Sequence, residues 1–572
     1  MDKDEKILPF RVKTEFYKKL ADEHADKDDL IGALGFALAS LKRSRTLSAI
    51  TDVADLYADM GLYDASNSYW FEYLDKASDS KASMAYEELG INFFYMNEYG
   101  LSGYYFEQKV KADGFISREG MDEEILDYFE KEVKKERGFH IVYPENSADY
   151  SELLQTAKKL NASNRPEEAY KILADIPDTS KDYADAVYET IVACYLTGKY
   201  REGIEKCKEY VSLRGESVDT CCHFSSLYAG LKNKTKKIEY YERALTFPET
   251  TMKDTYRLTY CASDMGDHAT ACKCMGKIVA DRPYDVNMRI YYGIALLNLG
   301  DYHGAREQFG TALRILPDDY VADYYYGVAD GVIEGKRKKT PVFKYITELP
   351  DKEINARIDK LSVLEKADSQ KLKSLITASP YSDYLKWGLN CPDAGLCGAS
   401  TFTLMAGEKD ETDKWLLKKL RDPNYFDALK RTVLFYFLNK QFGKAKKHVS
   451  VCIDGVFVKV KPITLSCETE RDREFYEYAC YCVSTLVFMG YRDFDALQNN
   501  LEKTYAFYKD GNLSGVIERK LSREDVSALT AYACGLAGKG KSREVCRIFG
   551  IKEKRFSQLK SLFKGEKDDK NN

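Results

Sequence analysis

Residues that could catalyse a reaction are few in this sequence and lie far apart. No histidine stands in a His-Glu-x-x-His arrangement, and there is no glycine-rich phosphate loop and no Gly-x-Ser-x-Gly nucleophile elbow. A single histidine on a helix is more often a core or surface residue than a ligand. The sequence therefore predicts no catalytic residue and a protein that is not an enzyme. The six histidines are His24, His140, His223, His268, His303 and His448.

The cysteines do not form a metal site in the sequence pattern. Cys272 and Cys274 are two residues apart in a predicted helix, so their side chains point to different faces. Cys391 and Cys397 flank a turn and could hold a metal or form a redox pair, but no second pair is near them. We therefore expect no metal and no cofactor. Fifteen cysteines scattered along a large chain favour reduced thiols and a cytoplasmic protein.

The charge pattern also limits the classes of partner. The chain carries 86 Lys and Arg against 91 Asp and Glu, a formal net charge of −5, which is not the basic surface expected for nucleic acid. Residues 2–6 are all charged where a secretory signal would be apolar. No stretch approaches 18 uninterrupted apolar residues, so we expect no membrane span.

Turn signals recur along the middle of the chain at a constant spacing. Gly198, Lys232, Gly266 and Gly300 each lie in such a signal, and each follows the previous one by 34 residues. A fixed period of this size indicates helical pairs that cannot bury their apolar faces alone and must stack. Counting back from these turns predicts units that begin at Tyr150, Ala184, Val218, Met252 and Val286, with a partial unit from Tyr320.

The unit from 286 to 319 shows the pattern best. Gly293 and Ala305 are small residues where two helices would cross closely, and Pro317 ends the second helix. Phe309 is a large apolar residue four places after Ala305. The corresponding large residues in the earlier units are Leu173, Cys207, Tyr241 and Met275. This pattern resembles the tetratricopeptide repeat family over roughly residues 13–335.

The resemblance implies an all-α fold, a right-handed superhelical solenoid of helix pairs. Further units are predicted at 1–110, a helical insertion at 111–149 and the regular array at 150–335. A looser C-terminal helical region follows at 336–563, and we expect a disordered tail at 564–572. Within the C-terminal region, Asp454-Gly455 separates two runs of alternating valines and predicts a β-hairpin at 449–460.

The resemblance also implies a binding face. In this family the first helix of each unit lines a concave groove, and its exposed ridge falls on the fifth, ninth and twelfth residues. Here those positions include Tyr188, Tyr195, Tyr256, Tyr260, Ile290, Ile294 and Tyr324. Members that bind chaperone tails carry lysine, asparagine and arginine on this ridge, so a carboxylate clamp is not expected. An uncharged, tyrosine-lined ridge favours a protein or peptide segment with apolar anchors. The alternative is that these tyrosines pack against neighbouring units.

Two functions remain open at this point. The first is a non-enzymatic scaffold or adaptor that binds a protein segment in the groove. The second is a peptide-responsive transcriptional regulator, because residues 544–563 loosely resemble a helix-turn-helix with Gly550 at the turn. A terminal capping pair of a solenoid would have the same pattern.

Overall fold

The computed structural model describes residues 14–113, 150–248, 251–338, 340–444, 446–465, 472–509, 521–536 and 541–564. Within these ranges the chain forms 28 α-helices, a 3-10 turn at Asp79–Lys81 and a two-stranded sheet, so the predicted all-α repeat fold with one hairpin is confirmed. No helix in these ranges is long and apolar enough to cross a membrane. Most of the predicted insertion and tail lie outside the described residues.

The elements follow one another along the chain. The N-terminal helices are α1 Thr14–Ala25, α2 Leu30–Arg43, α3 Leu47–Asp59, α4 Tyr63–Lys76, α5 Ala82–Tyr95 and α6 Tyr99–Asp113. The central helices are α7 Ser151–Ala162, α8 Pro166–Leu173, α9 Tyr183–Leu196, α10 Tyr200–Arg214, α11 Val218–Gly230, α12 Lys234–Ala244, α13 Met252–Met265, α14 His268–Asp281, α15 Val286–Leu299, α16 Tyr302–Ile315 and α17 Tyr320–Ile333. The C-terminal elements are α18 Asp351–Glu365, α19 Ser369–Leu375, α20 Tyr381–Leu389, α21 Ala394–Gly407, α22 Asp410–Leu420, α23 Asp427–Asn439, β1 Val449–Ile453, β2 Val456–Val460, α24 Arg473–Phe488, α25 Phe494–Lys509, α26 Arg523–Ala533, α27 Ser542–Phe549 and α28 Glu553–Phe563.

The 34-residue period fixes where the central helices begin. Helices α11, α13, α15 and α17 start at the predicted residues Val218, Met252, Val286 and Tyr320. Gly266 and Gly300 end α13 and α15 in the left-handed conformation, at φ 72° and 84°, where glycine has no steric penalty. The next helices begin with caps, because side-chain oxygens accept bonds from free backbone N–H groups. The capping residues around these helices are Asp267, Asp285, Asp301 and Asp319.

The predicted packing within a unit is also confirmed. Phe309 is fully buried, and a Cβ added to Gly293 would lie 2.5 Å from its ring. Only glycine therefore allows the ring to pack this close to α15. The large residues predicted at the same place in the other units are all buried as well: Leu173, Cys207, Tyr241 and Met275.

The chain divides into two compact units. One contains α3–α6 together with the hairpin and the C-terminal helices that follow α18. The other contains α7–α17 and the residues directly after α17. A unit can thus be built from distant parts of the chain.

The hairpin is predicted correctly, and both of its faces are covered. Asp454 and Gly455 have φ values of 49° and 78°, as the tight turn requires, and Ile453 pairs with Val456 beside it. The valine face packs into the core of the C-terminal helices. On the opposite face, the Phe457 ring stacks on Phe71 of α4 with ring centroids 6.0 Å apart.

Candidate peptide-binding surface

A non-helical stretch after α17 lies against the first helices of the central array. We call residues 340–349 the crossing segment. The Asn298 side chain of α15 holds it through both of its polar atoms: Nδ2 donates to the Phe343 carbonyl oxygen at 2.9 Å, and Oδ1 accepts from the Phe343 N–H at 2.8 Å. This two-bond pattern is how paired β-residues exchange their main-chain bonds. Asn298 therefore binds the segment through its backbone and does not depend on the side chain at residue 343.

Two side chains of the crossing segment supply further contacts. The Phe343 ring is 7% exposed and meets Tyr325 of α17 edge-on, with centroids 5.2 Å apart. The Tyr345 hydroxyl lies 2.8 Å from Nδ1 of His268, at the start of α14. Burial raises the pKa of Tyr345 to about 12, so its phenol stays protonated and can donate to the imidazole. Aromatic anchors with a polar tip suit such a surface.

The residues on either side of Phe343 are exposed. Val342 is 72% exposed and Lys344 is exposed. The segment is thus held by alternate residues, as an extended peptide is when it binds along a surface.

A cavity of about 540 Å³ opens beside the crossing segment. Its walls come from α13, α14 and α15 on one side and from residues 342–346 on the other. Tyr260 and Tyr291 line it, and Tyr260 is 51% exposed. A cavity of this size matches ordinary ligand pockets and leaves room for more side chains than the segment supplies.

A charged cluster lies further along the same first helices. Asp219 of α11 is buried. Its carboxylate forms ion pairs with Arg257 Nε at 2.9 Å and with Lys253 Nζ at 3.1 Å. The Tyr188 hydroxyl donates to Asp219 at 3.2 Å. Burial, and then the positive charge of Arg257, lower the pKa of His223 to about 3, so this imidazole is neutral at physiological pH. The positive charges of Lys253 and Arg257 are thus paired with the buried Asp219 carboxylate, and the neutral His223 adds no charge.

The seven ridge residues predicted from the sequence differ in exposure. Tyr195 and Tyr260 are exposed, at 42% and 51%. Tyr256 and Tyr324 are half-buried, and the Arg282 guanidinium carbon lies 5.6 Å from the centre of the Tyr256 ring. Tyr188, Ile290 and Ile294 are buried. The ridge is consequently open at two of the predicted places.

Sequence reasoning missed the residues that hold the crossing segment. Asn298 is the thirteenth residue of its unit, one place beyond the ridge positions considered, and His268 begins a second helix. A signal was present: Phe343 and Tyr345 alternate with other residues between Pro341 and Pro350, directly after a unit that lacks its second helix. Such a stretch is typical of an extended segment.

Two further observations concern metal binding and thiol reactivity. The described ranges contain no group of three or more His, Cys, Asp or Glu side chains that could hold a metal ion. The Cys397 thiol is buried, and burial raises its pKa to about 11, which opposes thiolate formation.

The segment resembling a helix-turn-helix has the predicted local geometry. Gly550 ends α27 at φ 68°, and Ile551 and Phe556 are buried. Arg555 pairs with the buried Asp525 of α26 at 3.0 Å, so this basic residue serves the packing of the helices. These contacts are also those of a terminal helix pair in a solenoid.

Comparison with known proteins identifies the repeat in part of the array. The sequence model of the tetratricopeptide repeat matches residues 218–250, which contain α11 and α12. None of the curated proteins matched the chain in sequence. Among solved structures, yeast Tom70 is 12% identical and covers 76% of this chain and 92% of its own, with a TM-score of 0.26. The Cut9–Hcn1 heterotetramer of the APC/C is 13% identical over 74% of this chain and 96% of its own, with a TM-score of 0.27. YrrB, described as a tetratricopeptide repeat protein with an unusual peptide-binding site, is 17% identical over 31% of this chain and 91% of its own, with a TM-score of 0.23.

Proposed function

Because this chain carries the tetratricopeptide repeat, we propose that it is a non-enzymatic scaffold that binds a segment of another protein. The binding face is formed by the first helices of the central units, α9, α11, α13 and α15. One observation carries the proposal: a polypeptide segment already lies on this face, held through its backbone by Asn298. Backbone recognition with side-chain pockets is a general mode of peptide binding.

The remaining features of the face support a protein or peptide over other partners. Tyr195 and Tyr260 are exposed aromatic residues on its first helices, and the cavity beside Tyr260 is unfilled by the crossing segment. Lys253 and Arg257 both pair with Asp219, which argues against a carboxylate clamp for a chaperone tail. The net charge of −5 argues against nucleic acid. The described cysteines are all free, which supports a cytoplasmic location.

A capture experiment with matched variants tests this function. The double variant Tyr195→Ala/Tyr260→Ala removes the two exposed aromatic residues of the face. Central aromatic residues of interfaces cost at least ~2 kcal/mol of binding when truncated, so partners recovered by the parent should be lost. Ile238→Ala/Leu245→Ala is the control, since these residues are each 43% exposed but lie on or just after the second helix α12.

The two variants separate the possible results. Both should melt at the temperature of the parent. Partners that are lost only with the tyrosine variant support the proposed face. Equal retention of every partner by the tyrosine variant would place the binding surface elsewhere.

A further inference from the structure

We propose that the crossing segment, residues 340–349, is an internal ligand of this face and that partners bind by displacing it. The inference rests on the proposed function and adds the chemistry of the partner. The displacing peptide presents an aromatic residue, any residue, and then a tyrosine. These three take the places of Phe343, Lys344 and Tyr345.

The contacts of the segment are those of a bound peptide rather than of a structural loop. Asn298 bonds both main-chain groups of Phe343, a contact between residues 45 apart in the sequence. A peptide from another protein carries the same two groups at every residue except proline. The anchor at Asn298 is therefore transferable from the segment to a partner.

Side-chain selectivity comes from two places. Tyr325 meets the Phe343 ring edge-on, so an aromatic ring is preferred at this position. His268 accepts or donates a hydrogen bond at the Tyr345 hydroxyl, so phenylalanine at that position would leave a polar group without its partner. Lys344 is exposed, so the residue between them is free to vary.

Part of the segment is open to solvent, although Phe343 and Leu349 are buried. Val342 is 72% exposed, and the cavity of about 540 Å³ runs along residues 342–346. A peptide with a larger side chain at the position of Val342 would fill space that the segment leaves open. Such a peptide gains contacts on entering and can compete with a tethered occupant.

Because the crossing segment is tethered to the face that it occupies, its effective concentration determines how strongly it competes with a free peptide. A short flexible connection gives the segment an effective concentration in the millimolar range. A free peptide with micromolar intrinsic affinity would therefore bind the parent at least about tenfold more weakly than a chain whose own segment is released. This difference is the quantity to measure.

The test uses the full chain and a fluorescent synthetic peptide with the sequence of residues 340–349. The full-length variant Phe343→Ala/Tyr345→Ala loses both side-chain anchors of the segment and keeps only the main-chain contact with Asn298. Asn298, His268 and Tyr325 remain intact to receive the peptide. Fluorescence anisotropy should show at least about tenfold tighter binding to this variant than to the parent. Equal affinity for the two chains, or no binding to a correctly folded variant, would overturn the inference.

Matched peptides and a receptor variant establish specificity. A peptide carrying Phe343→Ala should lose binding, whereas one carrying Val342→Ala should keep it, because Val342 is 72% exposed and Phe343 is 7% exposed. Adding Asn298→Ala to the released chain should weaken the peptide at least about tenfold, since two hydrogen bonds are lost. If all peptides bind alike, the contact is nonspecific and the proposal is wrong.

Hydrogen exchange of the parent gives a second reading that does not need the variant to fold. If the segment is displaceable, the Phe343 amide exchanges through local opening, at least about tenfold faster than the central amides of α15. Exchange of both at one common rate would make the segment part of the cooperative core and overturn the inference. The proposed function can fail independently of this inference. That result would be retention of the native partners by the Tyr195→Ala/Tyr260→Ala variant, while the Phe343→Ala/Tyr345→Ala chain still binds the peptide.

Discussion

Gly293 and Gly327 are both the eighth residue of their units, yet their surroundings differ. A Cβ at Gly293 would lie 2.5 Å from the Phe309 ring, whereas a Cβ at Gly327 would have no atom within 4 Å. The difference arises because α17 is not followed by a second helix that would bring a large residue against it. The same residue type therefore has a packing role in one unit and none in the next.

Replacing each glycine with alanine should have opposite effects on stability. Gly293→Ala forces Phe309 to move in a close-packed core and should destabilise the unit by about 1–3 kcal/mol. Gly327→Ala should be neutral or stabilise by up to about 1 kcal/mol, because alanine is the better helix former. Urea denaturation of the two variants checks this. Equal stability of both variants would show that the repeat register is wrong.

Glu88 of α5 is a residue whose charge opposes folding. Its burial, and then the negative charges of Asp55, Glu87 and Asp59, raise its pKa from 4.5 to about 7. Between these two pH values the folded chain holds a proton that the unfolded chain has lost. The free energy of unfolding therefore increases as pH falls from about 7 towards 4.5, because only the folded chain takes up this proton. It decreases again as pH rises through the pKa of Glu88 in the folded chain.

Glu88→Gln should remove this dependence. At about pH 8 the variant should be more stable than the parent by roughly 1–3 kcal/mol, and the gain should shrink at about pH 5. Chemical denaturation at the two pH values provides the measurement. Glu87→Gln is the control and should give a smaller gain, because it removes only one of the charges near Glu88 and also loses the ion pair with Lys109 at 2.9 Å. A gain that is independent of pH would exclude the raised pKa as its cause.

At the scale of elements, the hairpin joins two groups of helices. The Tyr105 hydroxyl of α6 donates to the Gly455 carbonyl oxygen at 2.6 Å and accepts from the Phe457 N–H at 3.0 Å. Lys459 Nζ donates to the Ala77 carbonyl oxygen at 2.9 Å, just after α4. The hairpin face that would meet water in an isolated two-stranded sheet is thus covered by α4–α6.

Tyr105→Phe tests how much this contact contributes. The ring still fits, but the buried Gly455 carbonyl and Phe457 N–H each lose a partner, which should cost about 1–3 kcal/mol per group. Thermal melting should show the loss. Tyr104→Phe is the control, because the Tyr104 hydroxyl makes no hydrogen bond to the described part of the hairpin. If both variants melt like the parent, water replaces the lost bonds.

At the scale of the whole molecule, one compact unit is built from the two ends of the chain. Phe71 and Tyr105 belong to the N-terminal helices and are 0% and 1% exposed, with partners in the hairpin. Each such apolar side chain contributes roughly 1.5–3 kcal/mol when fully buried. Folding of α4–α6 therefore depends on residues synthesised some 350 positions later.

Truncation after residue 353 should reveal this dependence. The shortened chain lacks the hairpin and the helices around it, so α4–α6 should lose protection in amide hydrogen exchange. Helices α13–α16 should keep theirs, because they pack against neighbours within the central array and the crossing segment. Full protection of α4–α6 in the truncated chain would contradict this view of the unit.

The sequence by itself determined the repeat and the hairpin. Gly266 and Gly300 adopt left-handed conformations that few other residues tolerate, and they mark two of the turns spaced 34 residues apart. Asp454-Gly455 marks the turn of the hairpin in the same way. The buried residue Phe309 and its glycine partner also follow from the pattern, because both lie within one unit. These signals act between residues close in sequence, where the geometry of the chain limits the alternatives.

Only the tertiary structure decided which surfaces are open. Ile290 and Ile294 occupy predicted ridge positions and are buried, while Tyr195 and Tyr260 are exposed. The contact of Asn298 with Phe343 and that of Tyr105 with Gly455 link residues 45 and 350 apart. No local preference specifies such contacts. They depend on which faces remain uncovered after the helices have paired, and a linear pattern does not contain that information.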